Sequence, residues 1–332
     1  MTISSHTPAA RLHVGIVGAG MAGLAAARTL TEAGHDVAVF DKGRGPGGRS
    51  ASRRAAPFAF DHGAQYFTAR DPNFTSVLET WLRAGVAARW EGRVVSLRAG
   101  VSWPVVEETK RFVGTPHMNA LAKYLARNIE VHCRSRVASV ERLSRGWKLV
   151  REDGVELGEF ERLVITTPPP QAAALISNYS PLGERAASIP MRPCWAVLLG
   201  LGEPYSAAFD GAFCEGAALS WVARDNSKPG RGTAESWVLH ASAEWTEAHL
   251  EEDPVRVAFL LVKELELLTG LPVPAVIHRD AHLWLFAQPH SAFSMGVLHD
   301  NERGLLLAGD AYCGGRIEGA YLSGLAAAHR LI

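Results

Sequence analysis

The sequence predicts an α/β fold in two parts: a doubly wound nucleotide-binding part assembled from separated stretches of chain, and a second part on a mostly antiparallel sheet. Three observations carry this. Residues 12–49 read strand, glycine turn, helix, strand and acid, in the order that a βαβ dinucleotide site requires. From about Met191 the texture changes to alternating, tryptophan-rich strands: WAVLLGL, ALSWVARD and SWVLHASAEW. From Gly304 the first texture returns. A buried run to Ala308 leads to Gly309-Asp310, and the turn Gly314-Gly315-Arg316 opens a last helix, Ile317 through Leu331.

In the first stretch, Val14 to Val17 is a buried parallel strand, and Gly18, Gly20 and Gly23 form G-x-G-x-x-G. Gly18 permits the tight turn, Gly20 lets a pyrophosphate approach the backbone, and Gly23 lets helix and strand pack closely. The helix that follows, with Ala22, Ala25, Ala26, Ala27 and Leu30, offers free N–H groups and a partial positive charge to phosphate. Gly34 ends it, and the strand Val37 to Phe40 delivers Asp41, placed to accept ribose hydroxyls. The basic, glycine-rich run Lys42 to Arg49 then ends in Gly47-Gly48-Arg49. A nicotinamide dehydrogenase has no evident use for a second phosphate loop there. An extended FAD does, because two glycine turns and an arginine can hold its pyrophosphate.

The chain has 332 residues, enough for a large core and more than one ordinary domain. Lys+Arg and Asp+Glu both number 34, so net charge argues for neither nucleic acid nor bulk acidic partners. Cys133, Cys194, Cys214 and Cys313 stand far apart without a CxxC, which fits a reducing compartment and neither a disulfide scaffold nor a zinc site. No apolar run of membrane-spanning length occurs, and residues 1–10 do not read as a signal peptide, so a cytoplasmic location is the expectation. Met1 to Ala10 is expected to be disordered. The thirteen histidines show no metal spacing; His62 and His240 are read as structural, and no metal is expected.

Between the landmarks, Phe58–Phe60 precedes DHGAQYFTARD, in which Gln65, Tyr66 and Arg70 are candidates to line a flavin or its substrate. Asp71-Pro72 opens a helix to about Ala84, Ala88 to Val113 is hairpin-like, and Thr115-Pro116 starts a helix to about Asn128. Ile129–Cys133, Arg136–Leu143 and Gly146–Arg151 are expected to form a meander. Phe160 to Thr167 reads as a central strand stopped by Pro168 to Pro170, and a helix begins over 171–178. Asn226 to Gly232 reads as a polar loop, 254–269 as an amphipathic helix, and His278 to Ala287 as a strand. The nucleotide domain is therefore expected over 11–70, 128–185 and 300–332, with the substrate domain over 71–127 and 186–299.

These residues resemble a family. VGAGMAGLAAARTL, FDKGRGPGGR, DHGAQYFTARD, SWVARDNSKPGR, WVLHASAEW and AGDAYCGGRIEGAYLSG are similar to the renalases, especially bacterial ones, within the flavin amine oxidase superfamily. The resemblance runs from about Leu12 to the end. It implies a discontinuous FAD-binding Rossmann-like domain of the glutathione-reductase type plus the substrate domain, with FAD held non-covalently. It also implies oxidation of the 2- and 6-dihydro isomers of NAD(P): hydride passes to flavin N5, and dioxygen is reduced to hydrogen peroxide. FAD contacts implied or read from the motifs are Gly18, Gly20, Ala22, Gly23, Asp41, Lys42, Gly48, Arg49, Gln65, Tyr66, Val137, Gly309, Asp310 and Ile317. Substrate contacts are Tyr66, Phe67, Thr68, Ala69, Arg70, Trp195, Trp284 and Arg316. Leu283 and Gln288 depart from the family by standing where basic residues are common, which bears on how substrate phosphates are held.

No catalytic acid or base is expected. A dihydropyridine losing hydride gains aromaticity without moving a proton, so the protein supplies position and aromatic walls: Tyr66, Trp195, Trp284 and Phe286. Oxidation of a small amine is the first rival. Many relatives that do this use a late-strand lysine, and here none of the six lysines follows Lys263. A lipid desaturase and a flavin-binding sensor without turnover are further alternatives. The expected partners are a dinucleotide substrate and dioxygen, with no nucleic acid and no membrane.

Overall fold

A computed structural model describes residues 11–105 and 109–332. The expectation for Met1 to Ala10 falls outside the described residues. The nucleotide-binding half is a six-stranded sheet in the order Leu298–Asp300, Leu305–Leu307, Arg162–Ile165, His13–Val17, Asp36–Phe40, Glu130–His132. All its pairs are parallel except that of the edge strand Leu298–Asp300. Val14, Ile16, Val164 and Leu307 are fully buried, as strands covered on both faces must be. The strand from Arg162 is central and ends at Ile165, two threonines before the proline run Pro168 to Pro170.

Two helices from opposite ends of the chain, Met21–Glu32 and Ile317–His329, pack against each other. Their approach is so close that a Cβ on Gly324 would collide with the Ala22 carbonyl. A Cβ on Gly23 would collide with the Gly18 carbonyl, so that glycine serves helix-to-turn packing.

The second sheet runs Val276–Pro289, Met191–Leu201, Ser236–Ala241, Leu219–Arg224, Gly211–Cys214, Val94–Arg98, Val101–Pro104. Only the Gly211–Cys214 and Val94–Arg98 pair is parallel. The helix Pro254–Thr269 covers one face. Asp253 caps its start by accepting the N–H groups of Val255 and Arg256, and Gly270 ends it in the left-handed conformation. Strand parity decides what that helix covers: Trp195, Val197 and Leu199 alternate with residues of the opposite face and join Leu239, Leu261 and Leu265 in one core.

Three local expectations change. Ile129–Cys133 supplies no meander strand: Glu130–His132 pairs in parallel with Asp36–Phe40 as the edge of the first sheet. The meander consists of Val137–Arg142, Trp147–Arg151 and Glu156–Phe160. The helix expected from Thr115 is regular only over Ala120–Leu125, and the Met118 N–H ahead of it donates to the buried Asp61 carboxylate, 3.0 Å away. The segment 71–127 divides. Phe74, Trp81 and Leu121 pack with Leu24 and Leu30 of the first helix, whereas Val94–Arg98 and Val101–Pro104 extend the second sheet.

Candidate active site

A single cleft of about 1880 Å³ runs between the two sheets. That exceeds the ~300–1,000 Å³ of a pocket for one drug-sized ligand, and leaves room for a dinucleotide and a second molecule. At one end it is lined by Gly18, Gly20, Ala22, Asp41, Lys42, Gly48, Arg49 and Val137, with Gly309, Asp310 and Ile317 from the C-terminal return. At the other end it is lined by Gln65, Tyr66, Thr68, Arg70, Trp284, Phe286 and Arg316.

Asp41 holds both phosphate-turn segments together: Oδ2 accepts the Ala19 N–H and Oδ1 the Gly43 N–H, each at 2.6 Å. Each carboxylate oxygen keeps a second lone pair for a ribose hydroxyl. Asp41→Ala therefore removes two turn contacts as well as any ligand contact. FAD affinity is expected to fall by one or two charge-assisted bonds of roughly 1.5–3 kcal/mol each. Titration of the apoprotein with FAD checks this, and unchanged affinity would refute the ribose placement.

Arg49 forms a fork with Asp310, at 2.5 Å and 3.1 Å, and donates to the Ala287 carbonyl at 2.9 Å. This ties the second glycine turn to the C-terminal return and to the strand Val276–Pro289. Its own carbonyl accepts the Ala64 N–H at 2.9 Å, which sets the DHGAQY segment directly on it.

That segment is clamped from the far side by the second sheet. The His62 carbonyl accepts from Trp284 Nε1 at 3.0 Å and from His240 Nε2 at 3.1 Å. Glu318, in the first turn of the last helix, accepts the N–H groups of Arg70 and Asp71 at 2.6 and 2.8 Å. Tyr66 lies against Trp221 and Trp90, with the Arg111 guanidinium 5.3 Å from its ring centre.

Two expected substrate contacts, Trp195 and Ala69, do not line the cleft. Trp195 is buried on the helix-covered face, its Nε1 bonded to the His249 carbonyl at 2.9 Å, while its neighbour Cys194 lines the cleft. The cause is the two-residue period of the strand. Ala69 packs into the core and does not line the cleft. Phe67 is mostly core, against Phe74, Trp81 and Phe112. Trp221, Phe213 and Arg111 line the cleft and were missed. Alternation within SWVARD marks one face of a strand, and nothing local says which face meets the cleft.

His62, His240 and His282 also line the cleft. Burial first, then His282 and Arg53, pushes His62 down to about 3. Burial pushes His240 down to about 4. Both stay neutral in the fold and regain a value near 6.5 when unfolded, so the unfolded chain binds more protons in this window. Their stabilisation is complete above about pH 6.5 and is lost as pH falls through 4 and then 3. His240→Asn should flatten the stability–pH curve between these limits by up to about 1.4 kcal/mol per pH unit. Urea unfolding across that range measures the slope.

Comparison with known proteins agrees with this layout. Residues 16–81 match the model of the NAD(P)-binding Rossmann-like domain, and residues 78–332 match that of flavin containing amine oxidoreductase. The chain belongs to the flavin-containing amine oxidoreductase family. Its cofactor is FAD. "Putative flavin-containing monoamine oxidase AofH" of Mycobacterium tuberculosis is 44% identical over 66 residues, 20% of this chain and 14% of that protein. The fold is similar to that of the "Putative protoporphyrinogen oxidase" of Exiguobacterium sp. 255-15: TM-score 0.79, 12% identity, covering 97% of this chain and 99% of the other. It is also similar to putrescine oxidase, with TM-score 0.70, 13% identity and coverage of 97% and 99%.

The residues fit FAD. Gly20 has open space where a Cβ would stand, the opening a diphosphate needs, and a Cβ on Gly48 would face Gly20 at 3.4 Å. The two glycine turns thus converge from opposite sides, with Arg49 beside them. Among the described residues no group of His, Cys, Asp or Glu forms a metal site, and no helix is long and apolar enough to cross a membrane.

Proposed function

We propose that this FAD-dependent oxidoreductase oxidises the 2- and 6-dihydro isomers of NAD(P). The isomer, dioxygen and one proton are converted to NAD(P)+ and hydrogen peroxide. Bound FAD supplies the two-electron acceptor, taking hydride at N5, and passes the electrons to dioxygen.

The observation that carries this reading is the charge of the cleft. Eleven Lys and Arg residues line it against four Asp and Glu, in a chain where the two classes number 34 each. None of the four acids is idle. Asp41 holds backbone amides, Asp310 holds Arg49, Glu244 pairs with Arg192, and Glu152 lies 3.8 Å from Arg136. A protonated amine would meet more cations than carboxylates, and each of the four carboxylates already has a partner. A phosphate-bearing dinucleotide suits this field. Arg70 and Arg316 supply positive charge at the substrate end, despite neutral Leu283 and Gln288 on the late strand. Tyr66, Trp221 and Trp284 offer flat walls there. The neutral histidines add no charge of their own.

Amine oxidation stands second, favoured by the family's description. Anaerobic mixing with borohydride-reduced NAD, which contains the dihydro isomers, separates the two. Rapid bleaching of the flavin band, then peroxide on admitting oxygen, is the expected result. A flavin that ignores the isomers but bleaches with putrescine or another small amine overturns it.

A further inference from the structure

The loop read as polar surface, Asn226 to Gly232, carries a fully buried charge. The Lys228 side chain has no exposed surface. Its ammonium lies 2.5 Å from Asp225, 3.1 Å from the Gln65 amide oxygen and 3.8 Å from Asp61, above the face of Trp90. Arg231 closes the group by pairing with Asp61. Two acids and two bases thus form a neutral cluster sealed from water. Lysine is almost never fully buried without a specific set of partners.

One partner is not a charge. Gln65 gives its amide oxygen to Lys228 and donates from Nε2 to the carbonyls of Asp61 and Gly63. Both ends of the amide are engaged inside the protein, so its side chain is not available to a ligand. The backbone of Gly63 to Tyr66 sits on Arg49: Ala64 donates to the Arg49 carbonyl, and a Cβ on Gly63 would collide with the same oxygen. Trp284 and His240 hold it by the His62 carbonyl. The Asp61 and Gly63 carbonyls hold the nitrogen end of the Gln65 amide, and Lys228 holds its oxygen end.

We propose that Lys228 is a positioning residue: by fixing the Gln65 amide it sets the path of the Gly63–Tyr66 backbone beside Arg49, and so the shape of the FAD-binding cleft. This rests on FAD as the family's cofactor and not on the identity of the substrate. A dihydronicotinamide reading that fails would leave it standing. It differs from the late-strand lysine role, because Lys228 does not line the cleft and acts only through Gln65.

The test uses two variants of the full chain and three readouts. Gln65→Met breaks the link and leaves every charge pair in place. Lys228→Met combined with Asp225→Asn removes one charge of each sign, so the cluster stays neutral. Thermal melting of the FAD-free protein reports the fold, fluorescence titration gives FAD affinity, and the fine structure of the bound flavin's visible band reports its surroundings. Gln65→Met should melt cooperatively, bind FAD about tenfold more weakly, the equivalent of roughly one hydrogen bond, and show an altered band. The double variant should shift affinity and band in the same direction. A Gln65→Met protein with wild-type affinity and band shape overturns the proposal, whether or not the double variant folds. So does a folded double variant that leaves both unchanged.

Discussion

Replacing Asp61 by Asn is expected to destabilise the fold by about 3–5 kcal/mol, the cost of leaving a buried charge unpaired. Asp61 is the hub where the end of the Phe58–Phe60 strand meets the second sheet. It accepts from Ser52 at 2.6 Å and from the Met118 N–H at 3.0 Å, and it faces Arg231 and Lys228. Its side chain has no exposed surface. Burial works to raise its carboxyl, but Lys228 and Arg231 beside it, with the Ser52 and Met118 bonds, hold it below the ordinary value. Asparagine can keep part of the hydrogen bonding. It cannot balance two cations against Asp225 alone, and a buried unit of positive charge remains. Urea unfolding of the FAD-free protein measures the loss. A change under about 1 kcal/mol, the scale of an exposed ion pair, would mean that water reaches the cluster and that its dry interior is wrong.

The second large effect is expected at Arg49. Arg49→Ala should weaken FAD binding by roughly 10- to 100-fold, the equivalent of one charge-assisted bond or a little more. Two losses combine. The guanidinium next to the converging glycine turns is gone, and Asp310, whose side chain is 9% exposed, is left without its fork partner. Arg49→Lys restores the charge but not the two-pronged geometry, and should recover only part of the affinity. Fluorescence titration of the apoproteins with FAD decides it. Equal affinity in wild type and Arg49→Ala would show that the second glycine turn does not hold the cofactor.

Much of this protein is legible along the chain because its decisive signals are local. The order strand, Gly18, Gly20, helix, strand, Asp41 spans a few dozen residues, and each step is dictated by backbone geometry that neighbours impose. The same holds for the helix Pro254–Thr269, where Asp253, Pro254 and Gly270 mark both ends. The return of the last strand and helix to the first domain follows from a repeated texture. Mostly antiparallel pairing of the second sheet follows from alternation.

Only the tertiary structure decided which partner and which face. Trp195 and Trp221 sit in equally tryptophan-rich strands, yet one lies beneath a helix and the other lines the cleft. Parity within a strand is visible in sequence, whereas the layer that covers each face is set by distant residues. Glu130–His132 reads equally well as meander or as parallel edge, and its partner lies some 90 residues earlier. Lys228 is the sharpest case. Asparagine, serine, proline and glycine around it spell a surface loop, and its burial depends on Asp61 and Gln65, which the fold brings from more than 160 residues away. Local chemistry along the chain specified the elements and the cofactor. Charge pairing and face selection, which depend on contacts across the two sheets, determined the shape and polarity of the cleft.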